Sequence, residues 1–573
     1  MRTILLLALL LPATVPRDDR DRSPYDVALS SDGRWALVAN ATSDSVALVD
    51  LEAGKVAAEV PVGRRPFSLA WQGATAAVTN WLSDDLTILR IEPPKLAVAA
   101  TVPVGDEPRG VALAAGRAYV ALSGENAVAV VDLASRAVTK AATGDEPWHL
   151  ALAGDRLAVS CSNSQDVRVH EAPSLKLLHR VEMRGHNLRR IAAAPDGSVA
   201  YVCNIAERGR PATKDNIDRG WVVASRLSRV PLREESFREA VSLDPRGKAV
   251  ADVDGVAVSP DGKALAVAAG GTHELLLLRL PLPFVAFGGP GDHIDADLLK
   301  DATRFRRVDL GGRPVAAAFA PDGRTVVATN YLSNSLQVVD FETGKVTRAI
   351  PLGGPAEPSL ARRGESIFYD GRRSFNQWYS CHSCRVDGHT NGSAYDTMND
   401  GRYGNLKKTL SLRGVAKTGP WTWHGWQTDL RNTLAHSLRT TMQGPEPKAE
   451  DLEALAAFLA TIDFVPPAGP RDEPARRGEA LFKNHGCSTC HEPPDYTTGE
   501  TYRVGLEAPD DAYSGFNPPS LRGVVLRGPW LHDGRAHTLG DLFAKHHRPF
   551  KLAEKPDFTP EELKDLIAFL RSL

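Results

Sequence analysis

The chain has 573 residues, 43% of them hydrophobic and 24% charged, and its 68 Lys+Arg against 70 Asp+Glu leave a formal net charge of -2. That length exceeds one ordinary domain, and the composition is that of a soluble globular protein. With acid and base in balance and no basic tract, a general nucleic-acid binder is excluded.

The N-terminus reads Met1-Arg2-Thr3, then an apolar run over 4–11, then Pro12-Ala13-Thr14 and a charged stretch over 17–22. A basic start, a short apolar core and a polar exit make a secretory signal, so 1–22 is read as signal peptide and leader. The run is too short to span a bilayer, and the mature chain is expected to carry no transmembrane segment. A periplasmic or secreted protein is the expectation. Of six cysteines, Cys161 and Cys203 lie in the N-terminal half. A disulfide and two free thiols both suit such a compartment.

From residue 23 the chain repeats itself. Apolar strands recur around Val38, Val78, Val120, Val159, Val202, Val267 and Ala328, the first five at steps of about 40 residues. Polar turns such as Ser43-Asp44-Ser45 and Ser333-Asn334-Ser335 follow several of them, and Pro195-Asp196-Gly197, Pro260-Asp261-Gly262 and Pro321-Asp322-Gly323 precede others. These are hairpin signals between β-rich runs. One four-stranded blade per repeat predicts an all-β, seven-bladed propeller over 23–353. The repeats resemble the YVTN family of propellers. Two longer steps hold insertions, one over 207–220 continuing at 233–252, the other over 281–306. Such loops either meet the C-terminal part or decorate the surface.

After Pro355 the strands stop and two segments match each other. Ala361-Arg362-Arg363-Gly364-Glu365 parallels Ala475-Arg476-Arg477-Gly478-Glu479, and each leads into a C-x-x-C pair. Leu410-Ser411-Leu412-Arg413-Gly414 parallels Pro519-Ser520-Leu521-Arg522-Gly523, and Gly419-Pro420-Trp421 parallels Gly528-Pro529-Trp530. Each copy closes with a segment of helical period, 449–461 and 559–573. Two mainly α, class I-like cytochrome c domains are therefore expected, 356–465 and 473–573, with a linker between them.

The second copy carries Cys487-Ser488-Thr489-Cys490-His491. C-x-x-C-H is the attachment signature of haem c: two thiols bond the porphyrin, and the next residue gives an imidazole nitrogen to iron. The first copy reads Cys381-His382-Ser383-Cys384-Arg385, and a guanidinium has no lone pair for a metal. Three readings stand there. Haem is held by Cys381 and Cys384 with a histidine from elsewhere, such as His389; or Cys381-His382 is a single-cysteine site with His382 on iron; or the haem is lost. Met442 and His546, or its neighbour His547, precede the closing helices and are the candidate sixth ligands of the two copies. His532 is read as a turn or propionate contact. Trp421, Trp423, Trp426 and Trp530 fall in corresponding loops, and packing explains them better than electron relay.

The paired helices, the Cys487–His491 motif and the Pro-Ser-Leu-Arg to Ala-His-Thr-Leu run over 519–539 resemble the bacterial di-haem cytochrome c peroxidase and MauG family, over about 356–573. The resemblance implies an exported c-type haem redox protein that transfers electrons and, with two haems, has peroxidase-like activity. The propeller is then a docking scaffold, and the partner a redox protein such as a small cytochrome. The alternatives are a non-catalytic electron carrier and a partner-binding propeller with a single haem.

Overall fold

The computed structural model describes residues 20–286, 289–508, 511, 513–548 and 554–573. Of the expected leader, all but residues 20–22 lies outside them. Seven four-stranded antiparallel sheets follow one another along the chain, each built from one contiguous segment: 24–61, 66–103, 108–142, 147–182, 191–242, 253–309 and 314–351. The first strands of neighbouring sheets touch one another around a ring, so they line its axis. The chain thus forms a seven-bladed propeller.

The repeat anchors all fall on the second strand of their blade and are fully buried. In blade 1 that strand is Trp35–Asn40. Successive side chains on a strand face opposite ways. Leu37 and Ala39 pack against blade 2, beside Leu69 and Val78, while Ala36 and Val38 pack against blade 7, beside Val327 and Leu336. With both faces covered, the strand reads as an unbroken apolar run rather than an alternating one.

Among the described residues no strand crosses from one end of the ring to the other. The seam between blades 7 and 1 is held by side chains. Asn334 Oδ1 accepts the backbone N–H groups of Arg22 and Ser23, each at 2.9 Å. Arg362, from the C-terminal half, donates to Tyr331 O on blade 7 at 2.6 Å and to Ser23 Oγ at 3.0 Å.

Two short helices lie in the insertions, α1 (Lys214–Asp218) and α2 (Ala296–Lys300). The first insertion meets the C-terminal half: Ala212 N donates to Asp396 O at 2.9 Å. Ile217 and Val222 pack with Trp378, Tyr379 and Met442.

The C-terminal half is mainly helical. The first copy holds α3 (Leu360–Phe368), α4 (Cys381–Cys384), α5 (Leu430–His436) and α6 (Ala449–Leu459). The second holds α7 (Glu473–Asn484), α8 (Leu539–Asp541) and α9 (Pro560–Arg571). Helix starts are capped by side chains: Ser359, Asp472 and Thr559 each accept a first-turn N–H. Helix α3 crosses α6 at Gly364, and α7 crosses α9 at Gly478. A Cβ at either glycine would collide with the facing carbonyl oxygen, Ala454 O or Asp565 O. The matched Arg-Arg-Gly-Glu segments therefore mark a shared close helix crossing. No helix among the described residues is long and apolar enough to cross a membrane.

Candidate functional site

The second copy encloses a cavity of about 1410 Å³, counting its open mouth. Its walls are apolar: Phe482 of α7, Leu566 and Leu570 of α9, Leu539 of α8, with Val524 and Trp530. The first copy supplies Trp423 and Lys408 to the same wall. Cys487, Cys490 and His491 all line it. Gly486, at φ +73°, turns the chain from α7 into the cysteine pair.

His491 Nδ1 lies 3.1 Å from Tyr496 O. A carbonyl only accepts, so the neutral ring carries its proton on Nδ1 and its lone pair on Nε2. Burial pushes the imidazole pKa down to about 4, which keeps it neutral at ordinary pH. His547 lines the cavity as well. Its pKa also falls to about 4, through burial and then the charge of His491. Its Nδ1 is buried without a hydrogen-bond partner. His546 does not line the cavity; its Nε2 lies 3.7 Å from Asp541 Oδ2. Residues 542–546 form a π-turn after α8, and that wider turn brings His547, not His546, to the cavity.

Two thiols and a neutral imidazole on the wall of an apolar, porphyrin-sized cavity fit haem c. Among the described residues no cluster of three or more His, Cys, Asp or Glu is arranged to hold a bare metal ion. Lys408 is buried beside Arg527, its Nζ donating to Arg527 O. Burial and the neighbouring guanidinium push the Lys408 pKa down to about 7. Arg527 Nε is buried without a partner. His532 is buried beside Asp511, its Nε2 3.4 Å from Asp511 Oδ2.

The first copy has a matching cavity of about 1160 Å³, walled by Phe368, Val415, Trp421, Leu430, Leu455 and Leu459. Cys381 and Arg385 line it, whereas Cys384, His382, His389 and Met442 do not. Met442, expected as a sixth ligand, is buried with Trp378, Tyr379 and Leu438 against the first propeller insertion. Its carbonyl accepts from Phe375 N at 2.9 Å. Cys384 packs against the same cluster, and burial pushes its thiol up to about 12.

His382 faces the propeller rather than the cavity, contrary to the single-cysteine reading. Its Nδ1 accepts the Asp387 N–H at 3.1 Å, and Nε2 lies 3.2 Å from Arg189 Nη2. His389 has both ring nitrogens engaged, with Ser411 Oγ at 2.9 Å and Leu526 O at 3.0 Å. Neither is placed to bind an iron in this cavity. Cys381, Cys384, Cys487 and Cys490 are free thiols, as are Cys161 and Cys203 in the propeller.

The segment after Cys384 plugs the propeller axis. Val386 packs with Tyr25, Phe67, Trp81, Trp148 and Val315. Asp387 follows, with Arg109 Nη1 at 3.7 Å and Arg313 Nη2 at 3.8 Å. Burial alone would raise its pKa. His382 and the guanidiniums of Arg189, Arg313 and Arg109 outweigh that and hold it well below the usual carboxylate range. Arg109 and Arg189 stack on Trp148, at 3.8 and 4.3 Å from its ring centroid. Asp252 anchors the preceding turn through Ser380 Oγ and Ser383 Oγ, both at 2.5 Å. Sequence reasoning missed this plug. Its one signal was an Asp close behind a C-x-x-C pair, which alone says nothing about a distant ring of arginines.

Residues 475–573 match the cytochrome c family. Hydrazine synthase subunit gamma of Kuenenia stuttgartiensis is 26% identical over 285 residues, 38% of this chain and 79% of that protein. Methylamine utilization protein MauG of Methylophilus methylotrophus is 24% identical over 291 residues, 39% and 84% of the two chains. Cytochrome c551 peroxidase of Nitrosomonas europaea is 21% identical over 276 residues, 38% and 81%. The chain therefore carries a cytochrome c haem domain, with the redox and electron-transfer chemistry that goes with it, joined to a propeller, and is related to these three proteins.

Proposed function

We propose that the chain is an exported single-haem electron carrier, whose haem c would be held by Cys487 and Cys490, with His491 and His547 as the residues that would bind its iron. The observation that carries this is the pair of neutral histidines lining one cavity: His491 with its Nδ1 committed to Tyr496, and His547 with Nδ1 free of any partner. Haem c supplies a one-electron iron couple when bound. The chain's own residues orient the imidazoles, exclude water with Phe482, Leu566 and Leu570, and would set Lys408 to offset the porphyrin's negative charge. The propeller offers a rigid face for a redox protein such as a small cytochrome, in the periplasm or outside the cell.

Peroxidase-like chemistry needs a second haem and an iron with an exchangeable site. Arg385 and the orientations of His382 and Met442 count against the second haem. An optical and haem-content measurement on matured protein tests the reading. One haem per chain, low-spin and six-coordinate, is expected. His547→Ala should turn it high-spin and His546→Ala should not. Two haems, or a wild-type iron already high-spin, would overturn it.

A further inference from the structure

The first-copy cavity keeps the walls of a haem cavity without its ligands. Arg385 occupies the place of His491, Cys384 is turned out, and Met442 is packed elsewhere. These residues do not fit haem c. They have another property in common with their neighbours: the cavity is lined by three guanidiniums, Arg385, Arg413 and Arg527, and by no Asp or Glu among the described residues.

Each guanidinium has an N–H that is buried and lacks a partner: Arg385 Nε, Arg413 Nη1 and Arg527 Nε; Thr422 Oγ1 is in the same condition. Buried polar atoms left without a partner are costly, more so when charged, and these four belong to residues on the walls of one cavity. Arg413 is 8% exposed, and its other end is already satisfied, Nη2 lying 3.2 Å from Glu107 Oε1 of the propeller. Arg527 is held by backbone carbonyls alone, including Arg522 O at 3.1 Å. The same cavity is lined by the apolar side chains of Phe368, Leu430, Leu455 and Leu459.

We infer that the first-copy cavity is a non-covalent binding site for an amphipathic carboxylic acid, its apolar body against the α3–α6 side and its carboxylate on Arg385, Arg413 and Arg527. A carboxylate accepts several N–H bonds at once, and guanidinium pairs with it in a two-pronged geometry. An apolar tail accounts for the rest of the walls, and no covalent step is involved. The inference rests on the single-haem reading.

Decanoate is a suitable probe, with decan-1-ol as its uncharged match, titrated calorimetrically into the full-length haem-loaded protein. Saturable one-to-one binding of decanoate is expected, with decan-1-ol at least tenfold weaker. Arg385→Ala should weaken decanoate at least tenfold, and the milder Thr422→Val severalfold, with no change in haem content. No decanoate binding, equal binding of the alcohol, or affinity unmoved in both variants would overturn the site. Haem content measured as the pyridine complex separates the two failures: two haems per chain sink the single-haem reading, whereas one haem without decanoate binding sinks only this inference.

Discussion

The two cytochrome copies set the same residue types around their cavities: Phe368 stands for Phe482, Val415 for Val524, Trp421 for Trp530, Leu430 for Leu539, and Leu455 and Leu459 for Leu566 and Leu570. They part where the chain leaves the cysteine pair. In the second copy it turns out to solvent and returns Tyr496 O to the proximal histidine. In the first, the propeller has captured it, and Val386 and Asp387 are spent on the ring axis. A cavity is thus a property of the helix crossing and its loops, while a metal site is a property of one short segment. The first copy retains the former and has lost the latter.

The sharpest break of this comparison is His491→Ala. It removes the only proximal imidazole, and the native haem spectrum should vanish, whereas Met442→Leu should leave spectrum and potential untouched. Next is Arg385→His, which puts an imidazole on a cavity that is already walled. With Cys384 still turned out of that cavity, haem per chain, measured as the pyridine complex, should stay at one.

Asp387→Asn leaves its guanidiniums buried without their carboxylate and should cost about 3–5 kcal/mol in denaturant unfolding. Glu492→Gln, at the exposed corresponding turn of the second copy, should stay within about 0.5 kcal/mol. The shared crossing predicts equal penalties: Gly364→Ala and Gly478→Ala should each cost about 1–3 kcal/mol by forcing helices apart.

A separate effect is on pH. His491, His532 and His547 have pKa values of about 4 in the fold, against about 6.5 when unfolded. Between those values the unfolded chain binds more protons, so stability is full above about pH 6.5 and falls as pH drops toward 4. The first copy has one comparable group, His389, lowered by burial and then Arg413. The Asp387 contribution is present above about pH 3.8 and is lost only below it. Fluorescence and haem absorbance followed from pH 7 to 4 should show the second copy loosening first.

The propeller was legible because each blade buries both faces of its second strand. That leaves an apolar run such as Trp35–Asn40 at a regular step, a local signature repeated seven times. The doubled cytochrome frame was legible for the same reason, through Gly364 and Gly478 and the tryptophan loops. The ligands were only partly so. His491 is fixed by its spacing to Cys490, but His546 and His547 are neighbours, and only the π-turn decides which one faces inward. Met442 and His382 sit at the positions the motif logic favours, yet their side chains obey residues from the other half of the molecule: Ile217 and Val222 for the first, Arg189 and Asp254 for the second. No local pattern encodes such partners.

The seam of the ring has a consequence for the order of events in making the protein. Blades 1 to 7 leave the ribosome before residue 362, and domains made first generally fold first. Here the last fastener of the ring, Arg362 across Ser23 and Tyr331, is encoded after the ring itself, and the axial plug later still. A nascent chain stalled near residue 355 would carry all seven blades with an unlatched seam and an open ring of arginines. The cytochrome half completes the propeller before it carries any electron.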